Sequence, residues 1–133
     1  MPAQPIITWV FHGYVTPAGN PTVQKWFNDL EDEEKDAVKD VLIYLRVSPR
    51  HWWTKPQFDS FDPDLSEIRI TVNVLKRIYR VYGTFWPKSA RYSYTFLIGK
   101  NKKVDNDRRG KREAIDRLRE LRTGEASVKQ FEF

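Results

Sequence analysis

Between Leu65 and Ile98 the chain keeps returning to a two-residue rhythm. Ile68, Ile70, Val72 and Val74 alternate with Arg69, Thr71 and Asn73; further on, Tyr79, Val81 and Phe85 alternate with Arg80, Tyr82 and Thr84. Successive side chains of an extended strand point to opposite faces, so this rhythm selects strands with one face turned to a core. Tyr92 to Ile98, with Tyr94 and Phe96, is a third strand on its aromatic and β-branched content. A tight connection at Leu75-Lys76 makes the first two an antiparallel hairpin, and Pro87 to Ala90 turns the chain into the third. Three strands joined this closely commit the fold to a mainly antiparallel sheet.

The rest of the chain supplies what covers that sheet. Ile6 to Phe11 is rich in strand formers, and Thr16 to Pro21 is a loop on its Pro and Gly content. A short helix then carries Val23, Trp26, Phe27 and Leu30 on one face. Glu31 to Arg46 is the clearest helix: Ala37, Val38, Val41, Leu42 and Leu45 recur at helical spacing, acids crowd its first turn, Arg46 sits in its last, and Pro49 stops it. Arg50 to Asp64 reads as a loop holding His51, Trp52 and Trp53, whose indoles either cap the core or stack on a ligand. Asp107 to Arg122 is an amphipathic helix with Ala114, Ile115, Leu118 and Leu121 inward, closed by Gly124. The tail, residues 123–133, is left open between a last short strand and a mobile end.

The expected order is β-α-α-β-β-β-α: an α+β fold in one domain, residues 1–133, with a core over about 6–122 and the helices packed on one face of the sheet. If Ile68, Ile70, Tyr79 and Val81 face the helices, then Arg69, Arg80 and Tyr82 share the open face.

Charge says what that face is for. Residues 65–103 carry nine basic side chains against the single acid Glu67. Residues 1–64 hold six basic and ten acidic side chains, whereas residues 65–133 hold seventeen and eight. Solubility alone needs no such segregation, and a basic sheet threaded with aromatics is built to meet an anionic partner, RNA first. The absence of cysteine removes disulfides, thiolate metal sites and cysteine nucleophiles, and two histidines are too few for a histidine-rich metal site. No cofactor or metal is expected. Nothing reads as a transmembrane span or a secretory signal, so the expected setting is the cytoplasm, with no membrane partner.

Five segments, in order, resemble a known family. The helix Ala37-Val38-Lys39-Asp40-Val41-Leu42 runs into a tryptophan-containing loop. Leu65-Ser66-Glu67-Ile68-Arg69-Ile70 is similar to a leucine-x-glutamate-leucine-arginine pattern, and Tyr79-Arg80-Val81 to a tyrosine-arginine-valine strand. Leu97-Ile98-Gly99-Lys100-Asn101-Lys102-Lys103 stands where a strand ends in a lysine pair, and a C-terminal helix opens near Ala114. Over roughly Val23 to Leu121 the chain resembles the RelE/ParE toxin superfamily, closest to its phage-derived HigB-like branch. Where many relatives carry a lysine ahead of the glutamate-arginine motif, this chain has Asp59.

The resemblance implies the toxin of a type II toxin–antitoxin pair, a ribosome-associated endoribonuclease cleaving mRNA by attack of a ribose 2′-OH on the adjacent phosphate, without a metal. Carried over by residue, Arg69 and Arg80 clamp the phosphate and Lys100 stabilises charge or donates a proton. Arg77, Tyr82, Lys102, Lys103, Lys55 and His51 are the substrate-binding candidates, with Tyr82 stacking a base or moving a proton and Lys55 or His51 serving as acid or base. Implied partners are mRNA, the ribosome and a helix-turn-helix antitoxin, with a homo-oligomer left open. The alternative is a member that inhibits by binding alone, on DNA gyrase or nucleic acid, or a phage accessory domain.

Overall fold

The alternating segments do pair as strands. The computed structural model of the chain describes residues 7–72, 77–101 and 107–133. Among these, β1 (Val10–Val15), β2 (Phe58–Asp62), β3 (Leu65–Val72), β4 (Arg77–Thr84), β5 (Ser93–Asn101) and β6 (Ser127–Gln130) form one sheet in the order β2-β3-β4-β5-β1-β6. Every neighbouring pair is antiparallel except β1 with β5. Three helices, α1 (Thr22–Asn28), α2 (Asp32–Arg46) and α3 (Arg108–Thr123), complete an α+β fold. The hairpin of β3 and β4 is as expected, while its connection at Leu75-Lys76 lies outside the described residues.

Two strands exceed the expected order. β2 lies in the segment read as a loop, because Asp59, Ser60 and Asp62 are poor strand formers. Phe58, buried at its start, and Phe61, whose ring lies 5.5 Å from Tyr82, anchor it, and charge is at home on such an edge strand. β6 shows the tail taking the strand alternative, paired antiparallel to β1. It delivers Phe131 to the core, 4.9 Å from Phe96 and 5.4 Å from Phe27. β1 itself begins at Val10 and runs through His12-Gly13-Tyr14, beyond the apolar run that announced it.

The helices lie on both faces, which corrects the expectation of one open face. α2 opens with a reciprocal capping box between Glu31 and Glu34, and the Glu34 side chain also accepts the Tyr79 hydroxyl proton donor. That places α2 on the face of Tyr79, Val81, Ile68 and Ile70, all buried. α1 joins it there: the Trp26 indole lies against Gly99, where a Cβ would collide with the ring, and its Nε1 donates to Asn101 at 3.0 Å. Trp9, Phe11, Trp53, Phe58, Tyr94 and Phe96 fill the same layer, with Trp9 and Trp53 centroids 4.6 Å apart. Each such aromatic contributes on the order of 2 kcal/mol by leaving water.

α3 covers the other face. Its N-cap Asp107 accepts from the Gly110 N–H at 3.0 Å and from the Tyr82 hydroxyl at 2.9 Å. Gly110 permits this approach, since a Cβ there would stand 2.8 Å from the Tyr82 ring. Farther along, Arg117 donates to the Leu97 carbonyl at 2.6 Å and lies over the Tyr14 ring, while Tyr14 donates to Glu120 at 2.9 Å. Gly124 ends the helix in the left-handed region at φ +81, as its position predicts. Ile115, expected inward, is 46 % exposed; Gly110, Ala114, Leu118 and Leu121 make the buried seam.

Candidate functional site

Register brings three of the expected residues together. Arg69 on β3 stands opposite Arg80 on β4, and Arg80 stands opposite Lys100 on β5. Neighbouring strands lie about 4.8 Å apart, so one rung of the sheet carries three cations side by side. Like charges directly opposite one another repel, and this rung holds only with counter-charge nearby.

That counter-charge is Glu67. It precedes Arg69 by two residues, so strand alternation sends both side chains to the same face. Its Oε1 accepts from Arg69 Nε at 2.8 Å and sits 2.6 Å from the same guanidinium's terminal nitrogen, while Oε2 lies 3.8 Å from Arg80 Nε. Glu67 and Arg80 are both buried, Arg80 to 3 % exposure. Lys100 Nζ sits 3.9 Å from Glu113 of α3 and keeps 17 % of its side chain exposed. Arg69, 39 % exposed, is the most accessible member of the row. Among the described residues the three cations are met by Glu67 and Glu113, and Asp107 at the start of α3 brings a third carboxylate to the same face.

The remaining candidates are dispersed. Tyr82 faces the same side but lies one rung away, fully buried beneath α3 with its hydroxyl on Asp107. Burial, that hydrogen bond and the Asp107 charge all push its pKa well above the ordinary phenol value. It therefore offers neither a ring for stacking nor a mobile proton, a correction whose physical cause is the helix at Gly110. Arg77 is an odd number of residues from Arg80 and projects to the α2 face, 3.8 Å from Glu34. His51 is exposed against Trp52, at 6.2 Å between rings, on the 3-10 turn Arg50–Trp52. The two tryptophans divide the readings between them: Trp53 is buried in the core and Trp52 is 55 % exposed. Lys55 Nζ, on an exposed side chain, lies 3.8 Å from Asp59. Lys102 and Lys103 lie outside the described residues.

Two further features bear on the charge of this surface. Glu67 was visible as the lone acid of its segment, and its spacing from Arg69 is the signal that it partners the row. On α3, Arg108, Arg112, Ile115, Arg119 and Arg122 recur at steps of four and three and form one outward stripe. Arg119 pairs with Asp116 at 3.4 Å and Arg122 with Asp64 at 2.7 Å, whereas Arg108 and Arg112 face solvent without a carboxylate among the described residues. No protein-family model and no curated protein matches the chain.

Proposed function

We propose that this chain is a RelE/HigB-like toxin, a cytoplasmic, ribosome-associated endoribonuclease that cleaves mRNA by 2′-OH attack on the adjacent phosphate. The observation that carries the reading is the rung Arg69–Arg80–Lys100, three cations aligned across neighbouring strands with the Arg69 guanidinium held in place by Glu67. In-line attack builds negative charge on the phosphorane oxygens, and fixed guanidinium donors stabilise it without changing protonation. Arg69 and Lys100 meet the phosphate; Arg80 lies beneath them, buried, with its Nε 3.8 Å from Glu67. The 2′-OH oxygen loses its proton to water and forms the new bond to phosphorus, the P–O5′ bond breaks with Lys100 protonating the leaving oxygen, and the products are a 2′,3′-cyclic phosphate and a 5′-OH. The arginine stripe on α3 gives the same molecule a second surface for phosphate backbones. Its partners in this reading are mRNA, the ribosome and a helix-turn-helix antitoxin.

The test is primer extension on a reporter mRNA in a ribosome-containing translation mix. Wild type should give discrete new 5′ ends bearing a hydroxyl, and Arg69→Ala should lower cleavage by about 100-fold, the usual loss of one oxyanion donor. Intact mRNA with folded wild-type protein would remove the nuclease reading.

One observation favours a second reading, inhibition by binding alone. Among the described residues neither histidine stands at the row: His12 pairs with Thr95 on β1 and His51 lies on the 3-10 turn. A row of clamps without a proton shuttle suits a protein that grips DNA gyrase or nucleic acid. In pulse-labelled cells, that reading expects DNA synthesis to fail before protein synthesis.

A further inference from the structure

At the opposite end of β3 and β4 from the cationic row, the chain forms a cleft of about 420 Å³. This lies within the range of small-molecule pockets, roughly 300–1,000 Å³. Its inner corner is aromatic: Trp9 and Tyr92 meet edge to face with centroids 5.2 Å apart. Arg50 enters from the 3-10 turn, its guanidinium stacked 4.5 Å over Phe85 and 5.1 Å over Phe58. Its only hydrogen bond is a long one, 3.4 Å, to the Trp53 carbonyl, and no carboxylate pairs with it among the described residues. Partial burial pushes the Arg50 pKa down, a cost that an anion beside it would offset. Lys88 also lines the cleft. Among the described lining residues the one acid is Asp64, which is held by Arg122 at 2.7 Å and lies 3.9 Å from Lys88, so these charges sum to positive.

A guanidinium already stacked on rings has lost its rotamer freedom and presents fixed N–H donors, the form in which arginine recognises phosphate. A phosphate monoester carries between one and two negative charges at neutral pH and draws on both cations, which a single carboxylate does not. Beside them the half-buried Tyr92 ring is the aromatic wall that a base can meet, since Trp9 behind it belongs to the core.

We propose that this cleft binds a nucleoside monophosphate unit, with its base against the Tyr92 ring and its phosphate drawing on Arg50 and Lys88. The site is separate from the cationic row and stands whether or not the chain cleaves mRNA. The unit is either a free nucleotide or the 5′-phosphorylated end of an RNA chain.

The experiment is isothermal titration calorimetry of the full chain with AMP, adenosine, inorganic phosphate and a 5′-phosphorylated trinucleotide. AMP or the trinucleotide should bind one to one, with adenosine and phosphate each at least tenfold weaker. Tighter binding of AMP identifies the free nucleotide, and tighter binding of the trinucleotide identifies the RNA end. Arg50→Met, which keeps the apolar stem, should weaken binding at least tenfold, and Ala90→Trp at the mouth should do the same without touching Arg50. Lys25→Met, far from the cleft, should leave binding unchanged. No saturable binding of either nucleotide at millimolar concentration would overturn the proposal. So would affinity unchanged in both cleft variants, or binding of N-acetylphenylalanine, a stand-in for a peptide C-terminus, where AMP fails. Should Arg50→Met not fold, Ala90→Trp decides alone.

Discussion

Glu67 is the residue on which the cationic row depends. Buried beside two guanidiniums, it does what a single acid in a basic segment must do, and replacing it leaves Arg69 and Arg80 facing each other across a rung. Glu67→Gln keeps the shape and removes the charge, so it should lower the unfolding free energy by about 3 kcal/mol, the order seen when one member of a buried ion pair is removed. Urea unfolding checks this, and a loss below about 1 kcal/mol would mean that the pair is not formed. Arg69 and Glu67 were legible as neighbours because alternation fixes faces locally. The burial of Arg80 was not legible, because it depends on what the third helix covers, and that helix lies 28 residues farther along.

The elements differ in how openly they announce themselves. α2 is legible at both ends from acids in its first turn and a following proline. β2 and β6 are not, since edge strands carry Asp, Ser, Lys and Gln and owe their strand state to a partner already in place. β6 nonetheless matters to the core through Phe131, which is buried among Phe27, Phe96 and Phe133. Phe131→Ala should cost about 3–5 kcal/mol, the usual loss for truncating a core phenylalanine. Equilibrium unfolding measures it, and a cost under about 1 kcal/mol would show that β6 lies loosely on β1.

At the scale of the molecule, helices on both faces bury hydroxyls and carboxylates together, and stability should therefore be bounded on both sides of the pH scale. Glu34 has its pKa lowered, first by the Tyr79 hydrogen bond and then by the Glu31 backbone N–H. Its contribution is present above the unfolded carboxylate value, about pH 4.3, and is lost as pH falls through the lower folded value. Tyr14, Tyr79, Tyr82 and Tyr94 have raised pKa values, burial being the first cause for each, and Tyr14 is pushed up to about 12. Raised values stabilise the neutral phenol in the folded state, so that contribution is whole below about pH 10 and is lost as pH rises toward the folded values. Thermal unfolding should give a Tm that falls on both flanks, and absorbance at 295 nm should show four of the six tyrosines resisting ionisation until the chain unfolds. Smooth ionisation of all six near pH 10 in folded protein would contradict the buried phenols. Among the described residues no helix is long and apolar enough to cross a membrane.

What the sequence alone determined is the part governed by local period: the antiparallel hairpin of β3 and β4, the helices α2 and α3 with their ends, and the sharing of one face by Arg69 and Arg80. A two-residue or four-residue rhythm is enforced by backbone geometry wherever the segment ends up. The tertiary structure alone decided which of those faces stayed open. Gly110 lets α3 close over Tyr82, the register of three strands aligns Arg69, Arg80 and Lys100, and the 3-10 turn carries Arg50 onto Phe85. Each of these joins residues far apart in the chain, and which of them meet depends on the packing of the whole core, not on any period within a segment.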